Sequence, residues 1–218
     1  VFGEGEETML ELIYCFKNGS DFSTVRGIAF LDTQQKVIIN AERELKKDLD
    51  ELPLPNRKKI NFQRYFDAWK YAHGQKVISI STMRGCPYDC KWCSRAVYGQ
   101  SYRRRSPKAV VQELGELKSN YEFDLIWFVD DVFTINYPWL REFSKELENA
   151  GLKIPYEIIT RADRMNEEII SLLKDTGCYR VWIGAESGSQ RIIDVMSRRV
   201  KVEQVRDMIR LTQKNGIQ

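Results

Sequence analysis

The sequence predicts an α/β chain: part of a parallel (β/α) barrel, four βα units over residues 56–218, preceded at residues 1–55 by a smaller α/β segment and its linker. Three observations predict it. Short apolar runs alternate with helical patterns from Val77 onward, the rhythm of βα units. A stretch of charge and proline from Ala41 to Lys59 separates them from what precedes. The ends of the apolar runs carry polar residues, as strand ends do where ligands bind to parallel sheets.

In chain order, Glu6 and Glu7 open a helix whose apolar face is Met9, Leu10, Ile13 and Phe16 and which ends at Gly19. Val25 to Leu31 and Lys36 to Asn40 alternate around Asp32-Thr33-Gln34-Gln35, a pattern of two strands and a turn. Leu52-Pro53-Leu54-Pro55 blocks helix, so the domain boundary falls near Asn56. Phe62, Tyr65, Phe66, Trp69 and Tyr71 recur at roughly helical spacing and read as a connector packed on the barrel. Strands are expected at Val77 to Ser81, Leu125 to Val129, Tyr156 to Thr160 and Arg180 to Ile183. Between them, one helix opens with Ser106 as cap and Pro107 at its first position, a second runs from Pro138 to Ala150, and a third starts at cap Asn166 and closes at Gly177. Gln190 to Asn215 reads as two helices broken around Ser197 to Val200.

The chain has 218 residues, 43% of them hydrophobic, enough for a real core. A net charge of +3 with both signs interspersed argues for neither a nucleic-acid binder nor a membrane-surface protein. No apolar run approaches a membrane span. Five cysteines without a secretory signal favour a reducing cytoplasm, where thiols stay free for metal. The opening at Val1 and the close at Gly216-Ile217-Gln218, where a strand could begin, read as an excised segment.

Chemistry concentrates in Arg84-Gly85-Cys86-Pro87-Tyr88-Asp89-Cys90-Lys91-Trp92-Cys93, directly after the first barrel strand. Three thiols in one short loop suit a metal centre that keeps one position open. With iron and sulfide they would hold a 4Fe-4S cluster with one iron unclaimed by protein. Two other readings stand beside this one. Zinc could be closed by Cys15, Cys178 or His73 as fourth ligand, although zinc motifs usually bring two separated cysteine pairs and no second pair exists. Unliganded buried cysteines are common singly.

The spacing C-x3-C-x2-C followed by βα units resembles the radical S-adenosylmethionine (radical SAM) superfamily. Phe128-Val129-Asp130-Asp131 and Gly184-Ala185-Glu186-Ser187-Gly188 resemble its subgroup with an upstream cobalamin-binding domain. The resemblance implies that residues 56–218 are about four of six βα units of a radical SAM core and that residues 1–55 are the C-terminal remnant of a cobalamin-binding domain plus linker. It implies Cys86, Cys90 and Cys93 as cluster ligands, Trp92 beside the adenine of S-adenosylmethionine, Asp130 and Asp131 near its amino group, Arg161 on its carboxylate, and Glu186 and Ser187 on ribose or amino groups. The superfamily's Gly-Gly-Glu loop is absent, as is the Asp-x-His-x-x-Gly loop that would offer cobalamin a histidine. His73, the sole histidine, lies in the connector, so this segment is not expected to hold cobalamin tightly by itself.

The implied activity is reductive cleavage of S-adenosylmethionine to a 5′-deoxyadenosyl radical, serving cobalamin-dependent methyl transfer or tetrapyrrole ring cyclisation. The implied partners are a small-molecule substrate and an electron donor such as a flavodoxin or ferredoxin. The alternative from another class is a non-catalytic zinc- or cluster-bearing RNA-binding module, with Arg103-Arg104-Arg105 on phosphates; three arginines before a capped helix more often form a solvated loop or an anion clamp.

Overall fold

The computed structural model describes residues 1–94 and 98–218. They fall into two compact units, one of Val1–Lys47 with Gly85–Pro87 and the described residues of Ser94–Tyr102, the other of Asp48–Arg84, Tyr88–Cys93 and Arg103–Gln218.

In the first unit, α1 (Glu6–Asn18) ends at left-handed Gly19, and β1 (Ala29–Leu31) pairs antiparallel with β2 (Val37–Ile39). Arg43 ties the acidic side of α1 down, donating Nε to Thr8 Oγ1 at 2.9 Å and pairing with Glu7 and Glu11. The face expected to be buried is exposed: Met9 is 47%, Leu10 53% and Phe16 71% accessible. Within this unit the hydroxyl and ion-pair contacts of Thr8, Glu7 and Glu11 orient the helix, and Phe22 meets its apolar stripe at Phe16.

The second unit is built on a four-stranded parallel sheet whose strands stand in chain order: β3 (Val77–Ile80), β6 (Leu125–Phe128), β7 (Tyr156–Thr160) and β8 (Cys178–Ile183). A short antiparallel pair, β4 (Met83–Arg84) with β5 (Arg103–Arg104), brackets the cysteine stretch. The helices are α2 (Phe62–His73), α3 (Pro107–Asn120), α4 (Tyr137–Asn149), α5 (Glu167–Asp175), α6 (Gln190–Val195) and α7 (Val202–Lys214). Ser106, Asn136 and Asn166 cap α3, α4 and α5 by accepting the N–H three residues on. The chain therefore forms an α/β fold with part of a barrel, as the alternation of patterns implies. Gln218 extends the ladder, its N–H bonding Tyr179 O at 3.0 Å and its carbonyl accepting from Val181 N at 2.8 Å.

Alternation gives the sheet two different faces. Ile78, Ile80, Ile126, Phe128 and Ile158 face the helices, each at most 2% exposed, and join Val110, Phe143 and Ile170 in one core. Each such side chain contributes about 1.5–3 kcal/mol on burial. The opposite face carries Ser79, Trp127, Glu157 and Arg180, aligned by strand register. On α2 only Phe62 and Phe66 reach the core, while Tyr65 and Tyr71 are 66% and 95% exposed, because the helix meets the sheet with one side.

Two titratable groups in this core make it sensitive to alkali. Burial pushes the Tyr156 phenol well above 10.0 and the Cys178 thiol above 9.0. Both are raised in the fold, so their contribution is full below pH 9 and is lost as pH rises past the unfolded-state values. The unfolding free energy measured in urea is expected to fall above that pH by up to about 1.4 kcal/mol per pH unit per group. Tyr156→Phe should show the shallower fall; equal slopes for both proteins would remove the tyrosine from the account.

Candidate functional site

The strand ends of the second unit are held by one carboxylate. Asp130, just past β6, is 1% exposed and accepts from Thr82 N at 2.7 Å, Met83 N at 3.1 Å and the Thr82 hydroxyl, with Ser81 Oγ at 3.4 Å and Arg104 Nη2 at 3.6 Å. Burial pushes its carboxyl upward, opposed by Arg104 and these donors. Both oxygens are thus committed to the segment that leads from β3 toward the cysteines. Asp131, its neighbour, is exposed.

Of the three cysteines, Cys86 belongs to the first unit and is half-buried; Cys90 and Cys93 belong to the second, buried and exposed respectively. Gly85, at φ 77°, has no room for a side chain, since a Cβ would lie 2.3 Å from Ser101 Oγ and 2.6 Å from its carbonyl. Cys90 Sγ lies 3.6 Å from Arg161 Nη1 and 3.9 Å from Arg198 Nη1. Arg161, 3% exposed, turns its other edge to Asp163 through Nε at 2.8 Å and Nη2 at 3.0 Å, and stacks 3.9 Å over the Tyr88 ring. Its bidentate fork is therefore engaged with Asp163, and its remaining nitrogen points at the cysteine sulfur.

Glu186, with φ 60°, faces Arg198 Nη2 at 3.6 Å; the Ser187 hydroxyl accepts from Ser189 N at 3.1 Å; Trp92 is 53% exposed. The structure brings together Cys90, Arg161 and Glu186, the last through Arg198, a residue the sequence reading did not single out. It does not gather Trp92, Asp131 or Ser187 with them through any hydrogen bond among the described residues. A charged residue in a turn gives no signal of facing inward.

The basic run reads differently in three dimensions. Arg104 stacks 3.5 Å over Trp139 and donates to Phe133 O at 2.8 Å and Thr82 Oγ1 at 3.0 Å. Arg105 pairs with Glu113, which is 1% exposed and also meets Arg57 at 2.5 Å. These guanidiniums are structural cross-links, so the solvated phosphate-binding run of the RNA-module alternative is corrected at both positions. Nor do three His, Cys, Asp or Glu side chains gather about a single metal ion among the described residues. A closed zinc shell needs four ligand atoms at about 2–2.3 Å from one centre; in a cluster each sulfur serves a different iron.

The sequence pattern of the radical SAM superfamily matches residues 80–218, well over half the chain. The chain belongs to the radical SAM superfamily. It is 30% identical over 218 residues to an uncharacterized methyltransferase of Pyrococcus horikoshii, covering 100% of this chain and 46% of that protein. It is 30% identical over 223 residues to an anaerobic magnesium-protoporphyrin IX monomethyl ester cyclase of Rubrivivax gelatinosus, covering 100% of this chain and 39% of the cyclase. In fold it matches the cobalamin-dependent S-adenosylmethionine radical enzyme OxsB, solved with aqua-cobalamin and S-adenosylmethionine bound, at a TM-score of 0.78 and 23% identity over 99% of this chain and 31% of OxsB. The chain spans less than half the length of each of these relatives.

Membership in the radical SAM superfamily implies a 4Fe-4S cluster and S-adenosylmethionine, and the residues at Cys90 fit such a group. Two guanidiniums directed at one buried sulfur supply the donors that a thiolate ligand accepts. No helix of the described residues is long and apolar enough to cross a membrane.

Proposed function

We propose that this chain is the cluster-bearing part of a radical SAM enzyme that works with cobalamin, in methyl transfer or tetrapyrrole ring cyclisation. The observation that carries the reading is the buried, guanidinium-flanked Cys90 inside a C-x3-C-x2-C stretch at the carboxyl end of β3. The relatives named for methyl transfer and for ring closure support the two activities equally.

In this reading Cys86, Cys90 and Cys93 hold the cluster, which when bound supplies the electron that opens the carbon–sulfur bond of S-adenosylmethionine. Arg161 fixes the cysteine loop against β7, with Asp163 setting the plane of its guanidinium. Asp130 fixes the other end of that loop through Thr82 and Met83. We assign the exposed Trp92 to the adenine through its backbone and the exposed Asp131 to the amino group of S-adenosylmethionine, with Glu186 and Ser187 on its ribose or amino groups. The Trp127–Glu157–Arg180 face supplies a wall with hydrogen-bonding groups for a small-molecule substrate. We assign it a flavodoxin- or ferredoxin-type electron donor and a reducing cytoplasm, where thiols stay free for iron.

Anaerobic reconstitution with iron and sulfide tests the reading. The protein is expected to take up a full cluster and, with S-adenosylmethionine and dithionite, to release 5′-deoxyadenosine; an iron-free product after reconstitution would refute it.

A further inference from the structure

The loop between α6 and α7 grips the cysteine loop at three points and Arg161 at a fourth. Met196 O accepts from Lys91 N at 3.0 Å, Arg199 Nη2 meets Asp89 at 2.6 Å, Arg198 O accepts from Arg161 Nη2 at 2.6 Å, and Arg198 Nη1 approaches Cys90 Sγ at 3.9 Å. Ser197 and Arg199 both adopt left-handed backbone, at φ 56° and 55°, a conformation unfavourable for residues with a side chain. That turn directs Arg198 inward, where it is 8% exposed. Its guanidinium is held in place by Gly184 O at 2.5 Å and Glu186 at 3.6 Å, leaving Nη1 for the sulfur. Gly184 is part of this seat: a Cβ there would lie 2.7 Å from Arg198 Nη2.

We propose that Arg198 is a positioning residue that donates to the Cys90 sulfur and raises the reduction potential of the cluster bound there. The inference rests on the proposed function, because it needs Cys90 as a cluster ligand. An N–H donor and a positive charge at a ligand sulfur stabilise the reduced, more negative cluster, which is how hydrogen bonds to sulfur tune such centres. Arg161 makes the same kind of contact, but its charge is shared with Asp163 over two short bonds, whereas Arg198 has one carboxylate at longer range.

The test is an anaerobic redox titration of the reconstituted protein with dithionite, followed by electron paramagnetic resonance, alongside iron and sulfide content. Arg198→Gln is expected to keep its cluster and to show, at the wild-type midpoint, a reduced-to-oxidised ratio about tenfold lower, equivalent to about 59 mV for one electron. Arg198→Lys should recover most of that shift. Gly184→Ala, which leaves the arginine in the chain and displaces its flexible tip along with the Glu186 carboxylate, 3.0 Å from the added carbon, should lower the ratio in the same direction. Arg210→Gln, which removes an exposed arginine paired with Asp207 on α7, should leave it unchanged. An unaltered potential in Arg198→Gln overturns the proposal; if that variant does not fold, an unaltered potential in Gly184→Ala does so. Failure of the unsubstituted protein to take up a cluster would instead refute the functional reading, a separate result.

Discussion

Cys90→Ala is expected to abolish cluster assembly while leaving the fold in place, and the two halves of that statement have different causes. The thiol is the one buried sulfur in the cysteine stretch, flanked by Arg161 and Arg198, so its loss removes the most enclosed ligand. The arginines are not stranded by its removal. Arg161 keeps Asp163 and Arg198 O, and Arg198 keeps Gly184 O and Glu186. Trading one sulfur for a small void costs about 1 kcal/mol. Reconstituted Cys90→Ala should therefore carry little iron yet unfold in urea close to wild type. Full iron content in the variant would remove Cys90 from the ligand set, and collapse of the fold would mean that the sulfur is structural.

Asp130→Ala is expected to do the reverse, with a loss of about 3–5 kcal/mol in unfolding free energy, the cost of breaking a buried ion pair from one side. The substitution strips acceptors from the Thr82 and Met83 N–H groups and from the Thr82 hydroxyl, and removes the Asp130 carboxylate from beside Arg104. Thr82 is fully buried and the Arg104 side chain is 3% exposed, so water cannot replace what is lost. Urea denaturation measures the effect. A loss under 1 kcal/mol would show that the carboxylate is spare in the fold and free for a ligand.

Much of this architecture is legible in the sequence, for local reasons. The strands are apolar runs of the right length, Ser106-Pro107 and Asn166 are cap signals that act within one turn, and the break at Ser197–Val200 lies where the helical pattern loses its phase. The strand pairing of β3, β6, β7 and β8 follows from right-handed βα crossovers. What the sequence hides is long-range. Arg198 and Cys90 are 108 residues apart, Arg161 and Cys90 71, and nothing near an arginine announces a partner at that distance. Arg104 and Arg105 read as a basic run because charge predicts exposure, and only the packed structure supplies Trp139 and Glu113 to draw them inward. The apolar stripe of α1 shows the converse, a pattern that predicts burial without saying what provides it.

The seat of Arg198 over Gly184 has a consequence for how such a chain can drift. The position lies outside the left-handed region, so an alanine there meets no such backbone strain, and the obstacles are two side-chain tips, Arg198 Nη2 at 2.7 Å and Glu186 Oε1 at 3.0 Å. Residue 184 can therefore grow by a methyl group where the Arg198 tip swings away, and most easily beside a shorter residue 198. Substitutions at the two sites are expected to be non-additive, although neither is a neighbour of the other along the chain.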